Sequence, residues 1–196
     1  GMLGGDYRYV PDLPYGAEGE FLTDRLTDEA LKVIDRVKDQ PFFLSLWYHA
    51  PHFPIEAKQE LIDRYTKKNK PGLRHANATY AAMVHSLDES VGRILARLEE
   101  HGLTEQTVII FTSDNGGFVN SWKQFPVVTN NAPLRSGKGS LYEGGVRVPL
   151  VVRWPGVTKP NSTCAWPAVL TDSYRTILAM ACIEETTVEG EISNDG

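Results

Sequence analysis

Between Thr79 and Gly117 the chain changes its hydrophobic period once, and that change fixes the class of fold open to it. Tyr80, Met83, Val84, Leu87, Val91, Ile94, Leu95 and Leu98 recur at helical spacing over Thr79 to Glu100, and Gly102 closes the pattern. Thr107 to Phe111 then forms a short apolar run of the kind a buried strand needs, and it discharges into Ser113-Asp114-Asn115-Gly116-Gly117. A long amphipathic helix packed on a sheet, followed at once by a strand, is half of a βα repeat. Strands that alternate with helices stack into layers, which predicts an α/β sandwich with a mostly parallel or mixed sheet. In open sheets of this kind, ligands collect beyond the carboxyl ends of the strands. Asp114 and Asn115 stand at such an end, where a carboxylate beside a side-chain amide suits a hard cation such as Ca²⁺ or Mg²⁺. The same four residues, Asp-Asn-Gly-Gly, are also good turn chemistry.

The rest of the chain repeats the alternation. Leu22 to Lys38 carries Leu26, Ala30, Val33, Ile34 and Val37 on one helical face, and Pro41 stops it. Phe42 to Tyr48 is an unbroken aromatic and aliphatic run that fits a strand buried on both faces. A loop from His49 to Pro54 and a short helix around Glu56 to Tyr65 follow, then a polar connector, Lys67 to His75, containing Pro71-Gly72. His85 and Asp88 lie off the centre of the long apolar stripe and read as a solvated helix face. Phe118 to Ser136 has no period and reads as a long loop near the strand end. Val148 to Trp154 is a further strand candidate, and Asp172 to Ala181 a last helix. On this reading 1–21 is an irregular lead-in, 22–183 one α/β core, and the acidic stretch 184–196 a tail.

A chain of 196 residues suffices for one sizeable core. With 20 Lys plus Arg against 25 Asp plus Glu, and no basic run beyond Lys67-Lys68-Asn69-Lys70, nucleic acid is not an expected partner. No apolar segment approaches the roughly 20 residues of a membrane-spanning helix. Cys164 and Cys182 lack both a disulfide framework and zinc spacing, and read as two buried thiols. Gly1-Met2 reads as a residual tag residue ahead of a start, with no export signal behind it.

Two further groups carry candidate chemistry. Lys138 lies between Gly137 and Gly139, where its ammonium and nearby backbone N–H groups could meet an oxyanion; the spacing is not that of a phosphate-binding Walker loop. His52 lies in His49-Ala50-Pro51-His52-Phe53-Pro54, right after a candidate strand, and two prolines stiffen its backbone. A held imidazole can serve as a general acid. Alone, Lys138 reads more readily as a surface lysine in a turn, and His52 equally as a hydrogen-bonded loop histidine.

Four segments, PFFLSLWYHAPHFP, TYAAMVHSLDESVGRIL, TVIIFTSDNGG and LRSGKGSLYEGGVRVPLVVRWPG, resemble in order and spacing the later part of the catalytic domain of the sulfatase family, within the alkaline-phosphatase-like superfamily. The resemblance runs from Leu22 to about Ala181. It implies a three-layer α/β sandwich, a divalent cation, usually Ca²⁺, on Asp114 and Asn115, and contacts from His52 and Lys138 to the sulfate group and the departing alcohol oxygen. It also implies a formylglycine nucleophile made from a Cys/Ser-x-Pro-x-Arg segment, a substrate that is a sulfate ester, including a sulfated glycan, and export to a periplasmic, secreted or lysosomal location.

The chain departs from that family where the nucleophile should be. Neither Thr163-Cys164-Ala165-Trp166-Pro167 nor Ala181-Cys182-Ile183 fits the modification motif, and the paired aspartates and the Lys-x-His segment have no counterpart; Trp122-Lys123 stands in the wrong place. The expectation is an incomplete domain that is inactive alone, binds Ca²⁺ weakly with so few ligands, and self-associates through uncovered sheet edges. Two alternatives share the same residues: a phosphonate or phosphate ester hydrolase of the superfamily, and a non-catalytic relative that binds sulfated glycans.

Overall fold

The computed structural model describes residues 16–119 and 127–183. Trp122-Lys123, residues 1–15 of the lead-in and the tail 184–196 lie outside the described residues. In chain order the elements are α1 (Leu22–Val37), α2 (Gln59–Lys68), α3 (Ala78–Glu100), a 3₁₀ turn (Thr104–Gln106), β1 (Ile109–Thr112), α4 (Glu143–Val146), β2 (Leu150–Arg153) and α5 (Asp172–Met180).

α3 begins where Asn77 accepts a hydrogen bond from the Tyr80 backbone N–H at 2.8 Å, as a capping side chain should. It ends in a paired closure, Leu103 N–H to Leu98 O at 2.8 Å and Gly102 N–H to Glu99 O at 2.9 Å, with Gly102 at φ 68°. Only a residue without Cβ takes that left-handed position at no cost, so the glycine stops the helix. α3 packs on both α1 and α2. The packed edge is made of Ala82, Met83, Ser86, Ser90 and Leu98, and the small residues among them let the helices approach closely. The expected apolar stripe is thus turned aside: Val84 and Leu95 remain 42% and 40% exposed.

α1 buries Thr23, Thr27, Ala30, Leu31 and Ile34. Thr27 is interior rather than capping; its hydroxyl donates to Thr23 O at 2.8 Å and lies 2.9 Å from the Tyr48 hydroxyl. The rim of the α1–α3 contact is charged. Arg93 pairs with Asp28, while Asp35 takes Arg97 at 2.5 Å and His101 at 2.7 Å. His85 is held by Tyr65 and Glu89, each at 3.0 Å, which agrees with a structural role.

β1 and β2 pair antiparallel, Ile109 opposite Arg153 through Thr112 opposite Leu150. The parallel part of the expected sheet is not represented among the described residues. Phe42 to Tyr48 runs without secondary structure, and the expectation of burial on both faces is corrected. Phe42, Leu44, Leu46 and Tyr48 are half-buried, while Phe43 and Trp47 are 72% and 82% exposed. The reason is local: one face lies along α1 through Tyr48, and no described strand hydrogen-bonds to the segment. The thiols are corrected as well. Cys164 and Cys182 are both exposed: Cys164 lies in the exposed segment from Lys159 to Thr171, and Cys182 follows α5, which buries none of its residues.

Candidate active site

β1 delivers Asp114 and Asn115 to a turn whose shape is set by backbone contacts. The Ser113 hydroxyl donates to Asn115 O at 3.1 Å, and Thr112 Oγ1 donates to Pro149 O at 2.9 Å. Gly116 N–H then donates to Gly145 O at 2.9 Å, and Gly117 O accepts Lys138 N–H at 3.1 Å. The two glycine-rich stretches of the sequence are therefore laid against each other, and Lys138 is drawn to the loop that begins with Asp114.

That contact is too close for side chains. A Cβ on Gly116 would lie 1.8 Å from Gly144 O, one on Gly137 2.3 Å from Gly117 O, and one on Gly144 2.1 Å from Ser136 O. A Cβ on Gly145 would meet Ser140 O at 2.1 Å. None of these glycines has a positive φ, so close approach rather than a special backbone angle is what excludes other residues here.

The centre of the junction is Asn131, which the sequence reading left inside an aperiodic loop. Its Nδ2 donates to Gly117 O at 2.9 Å, to Ser136 O at 3.0 Å and to Gly144 O at 3.0 Å. Burial pushes the Tyr80 phenol on α3 above its ordinary pKa, and the adjoining Thr129 opposes that rise. A cavity of about 360 Å³ opens on this loop, lined by Val127 to Asn130, Arg74, Ala76 and Asn77. The signal that could have pointed to Asn131 is the glycines themselves. Five glycines in short neighbouring stretches, Gly116-Gly117, Gly137 and Gly144-Gly145, permit close backbone approach, and converging carbonyls need a donor.

His52 sits on an exposed loop, with its N–H donating to His49 O at 2.9 Å. Its Nδ1 lies 2.9 Å from Phe53 O, and Nε2 of His49 lies 2.8 Å from the same oxygen. A carbonyl only accepts, so Nδ1 of His52 carries hydrogen and Nε2 is the atom left to exchange a proton. The Phe53 ring meets the Phe118 ring edge-on at 5.7 Å, which joins this loop to the segment just after Asn115-Gly116-Gly117. The four residues singled out by sequence thus reach the junction at 116–118 on three loops, Asp114 and Asn115 sharing one.

Asp114 is exposed and Asn115 half-buried, and neither side chain makes a hydrogen bond or ion pair among the described residues. Open carboxylate and amide oxygens on adjacent residues fit a hard cation, but they are two of the six to eight oxygens that Ca²⁺ takes. Among the described residues, no three His, Cys, Asp or Glu side chains gather at metal-binding distance. Nor is any helix there long and apolar enough to cross a membrane.

The helix layer, the strand ending in an acid–amide pair, and the facing lysine loop together form part of an α/β domain of the alkaline-phosphatase-like fold. Solved structures bear this out. Ps i-CgsB, crystallised in complex with k-i-k-neocarrahexaose, superposes with a TM-score of 0.75 at 35% identity, over 86% of this chain and 36% of that one. The family model for Sulfatase matches residues 4–181, and the chain belongs to the sulfatase family. A sulfatase of Formosa agariphila is 43% identical over 86% of this chain and 32% of its own length. Mouse steryl-sulfatase is 36% identical over 83% of this chain and 25% of its own. The chain therefore spans about a third or less of the relatives it matches. Membership carries the general use of a divalent metal.

Proposed function

We propose that these residues form part of the catalytic domain of an enzyme that hydrolyses sulfate esters, with a sulfated glycan as the substrate class. The observation that carries the reading is the shared oxygen of Gly117, which ties the Lys138 loop to the turn bearing Asp114 and Asn115. The carbohydrate class rests on the oligosaccharide bound by Ps i-CgsB.

Hydrolysis breaks the S–O bond and leaves negative charge on the alcohol oxygen, which must be neutralised and protonated. Lys138 supplies a fixed positive charge: its backbone is anchored at Gly117, and its ammonium makes no ion pair among the described residues. His52 supplies the proton from Nε2, because Phe53 O holds the other ring nitrogen. Asp114 and Asn115 would hold a divalent cation, Ca²⁺ by family expectation, which offsets charge on the sulfate oxygens when bound. The attacking group would come from a formylglycine segment outside these 196 residues, since no Cys/Ser-x-Pro-x-Arg occurs among them. In this reading residues 22–183 belong to a single α/β core, and the 196-residue chain by itself releases no sulfate and holds Ca²⁺ weakly.

The test is sulfate release from a panel of sulfated oligosaccharides by the full-length gene product. Lys138→Ala and His52→Ala should each lower kcat by about 100-fold or more, and Asp114→Ala should abolish the response to added Ca²⁺. Faster cleavage of phosphate or phosphonate esters than of any sulfate ester would overturn the reading. So would sulfated-glycan binding with no release.

A further inference from the structure

We infer that Asn131 is a positioning residue for this site, setting the separation between the Asp114-Asn115 turn and Lys138. The inference rests on the proposed roles of Asp114 and Lys138. Three backbone carbonyls converge on one side-chain nitrogen. Gly117 O belongs to the loop that follows Asn115, Ser136 O lies two residues before Lys138, and Gly144 O belongs to the segment that backs both. Three carbonyl dipoles pointing at one place repel one another unless a donor stands there. The side-chain amide has two hydrogens, enough to serve three acceptors only with one shared. A serine would bring one hydrogen and an aspartate none.

The geometry leaves Asn131 little freedom. A Cβ on Gly117 would lie 2.7 Å from its Oδ1 and a Cβ on Gly137 2.9 Å from its Nδ2, so the amide is wedged between two glycines. Its own carbonyl accepts Leu134 N–H at 2.9 Å, closing a turn. Ser136, one of its acceptors, holds a left-handed φ of 65°, a conformation that needs such support in a residue with Cβ. Two residues upstream, Thr129 neighbours Tyr80 on α3. Asn131 thus links the helix layer to both halves of the candidate site. It touches no reacting atom and acts through where it puts Lys138 and the acid–amide turn.

The experiment uses the full-length enzyme and sulfate release, with Asn131→Asp, Asn131→Ser, Lys138→Ala and the double variant Asn131→Asp/Lys138→Ala. A misplacement near 1 Å costs about 100-fold, so Asn131→Asp should fall by that factor in kcat with KM little changed, and Asn131→Ser should fall between it and the parent. The double variant should lose less than the product of the two single losses, because the part of the Asn131 effect that acts through the lysine is gone once the lysine is gone. Losses that multiply in the double variant would assign Asn131 to stability alone and overturn the inference, as would an Asn131→Ser protein that does not fold. If Lys138→Ala is slow while both Asn131 variants keep parental kcat, the inference falls and the function stands. If Lys138→Ala keeps parental kcat, the reading of the lysine falls and the inference with it.

Discussion

Replacing Gly116 by alanine tests the central contact with one methyl group. The added carbon would stand 1.8 Å from Gly144 O, whereas real Cβ contacts stay above about 3.0 Å, so the two loops must part by about 1.2 Å, the difference of those distances. The Gly116 N–H to Gly145 O bond, now 2.9 Å, would stretch beyond hydrogen-bonding range. The Asn131 contact to Gly144 O, now 3.0 Å, would loosen with it. Each such bond is worth about 1 kcal/mol net, so stability should drop by about 2 kcal/mol. The same displacement should lower kcat of the full-length enzyme by about 100-fold. Gly92→Ala is the matched control. It sits in α3 with nothing within 4 Å of its added carbon, and a helical alanine should stabilise by about 0.5–1 kcal/mol over glycine. Urea unfolding of parent and both variants reads the two signs directly. A Gly116→Ala protein as stable as its parent would refute the claim that the loops are locked by close approach.

Other consequences are accessible to the same methods. The hydroxyls of Ser86 and Ser90 are buried with no hydrogen-bond partner among the described residues, so Ser86→Ala should gain about 1 kcal/mol, and a loss of that size in urea melts would reveal a partner. Arg97 first, then His101, holds the Asp35 carboxyl below its ordinary range in the folded protein. A depressed folded pKa stabilises above the ordinary carboxylate range and is lost as pH falls through the folded value. Asp35→Asn should therefore lower the urea midpoint at neutral pH and leave it unchanged in strong acid, and a penalty that persists in acid would exclude the charge explanation. Phe43 and Trp47 present exposed aromatic rings on a segment that pairs with no described strand, so Trp47→Lys should reduce light scattering at high protein concentration, and unchanged scattering would refute the role of this face.

The helices and strand candidates were legible because their signals are local. α1, α3, β1, β2 and α5 fall within a few residues of the expected spans, since a period of 3.6 or a short apolar run is written within one segment. α4 was not legible. Glu143–Val146 holds two glycines, poor helix formers, and it forms because Gly144 and Gly145 are buried against carbonyls from the preceding loop. For Phe42 to Tyr48 the apolar run predicts a strand, but strand pairing and burial on both faces depend on neighbours that no single segment encodes, and the segment carries neither. The site shows the same division. Residue types at a strand end marked Asp114 and Asn115, and a glycine context marked Lys138. Asn131 escaped because an amide that collects carbonyls from three separate places has no period and no spacing of its own.

The elements also divide in how they hold together. α1, α2 and α3 pack on one another, whereas β1 and β2 contact each other and, among the described elements, no helix packs on either strand. The strand pair and its loops join the helices through a few ties: Arg153 to Thr104 and Glu105, Thr129 to Tyr80, and Phe118 to Phe53. The expected consequence is two cooperative units with different opening free energies. Amide exchange should separate them, with slow protons along the buried edge of α3 and faster ones around Gly116, Gly117 and Lys138. A ligand that bridges Asp114 and Lys138 would then slow exchange mainly in the second unit, so protection of those few amides would report occupancy of the site without any turnover at all.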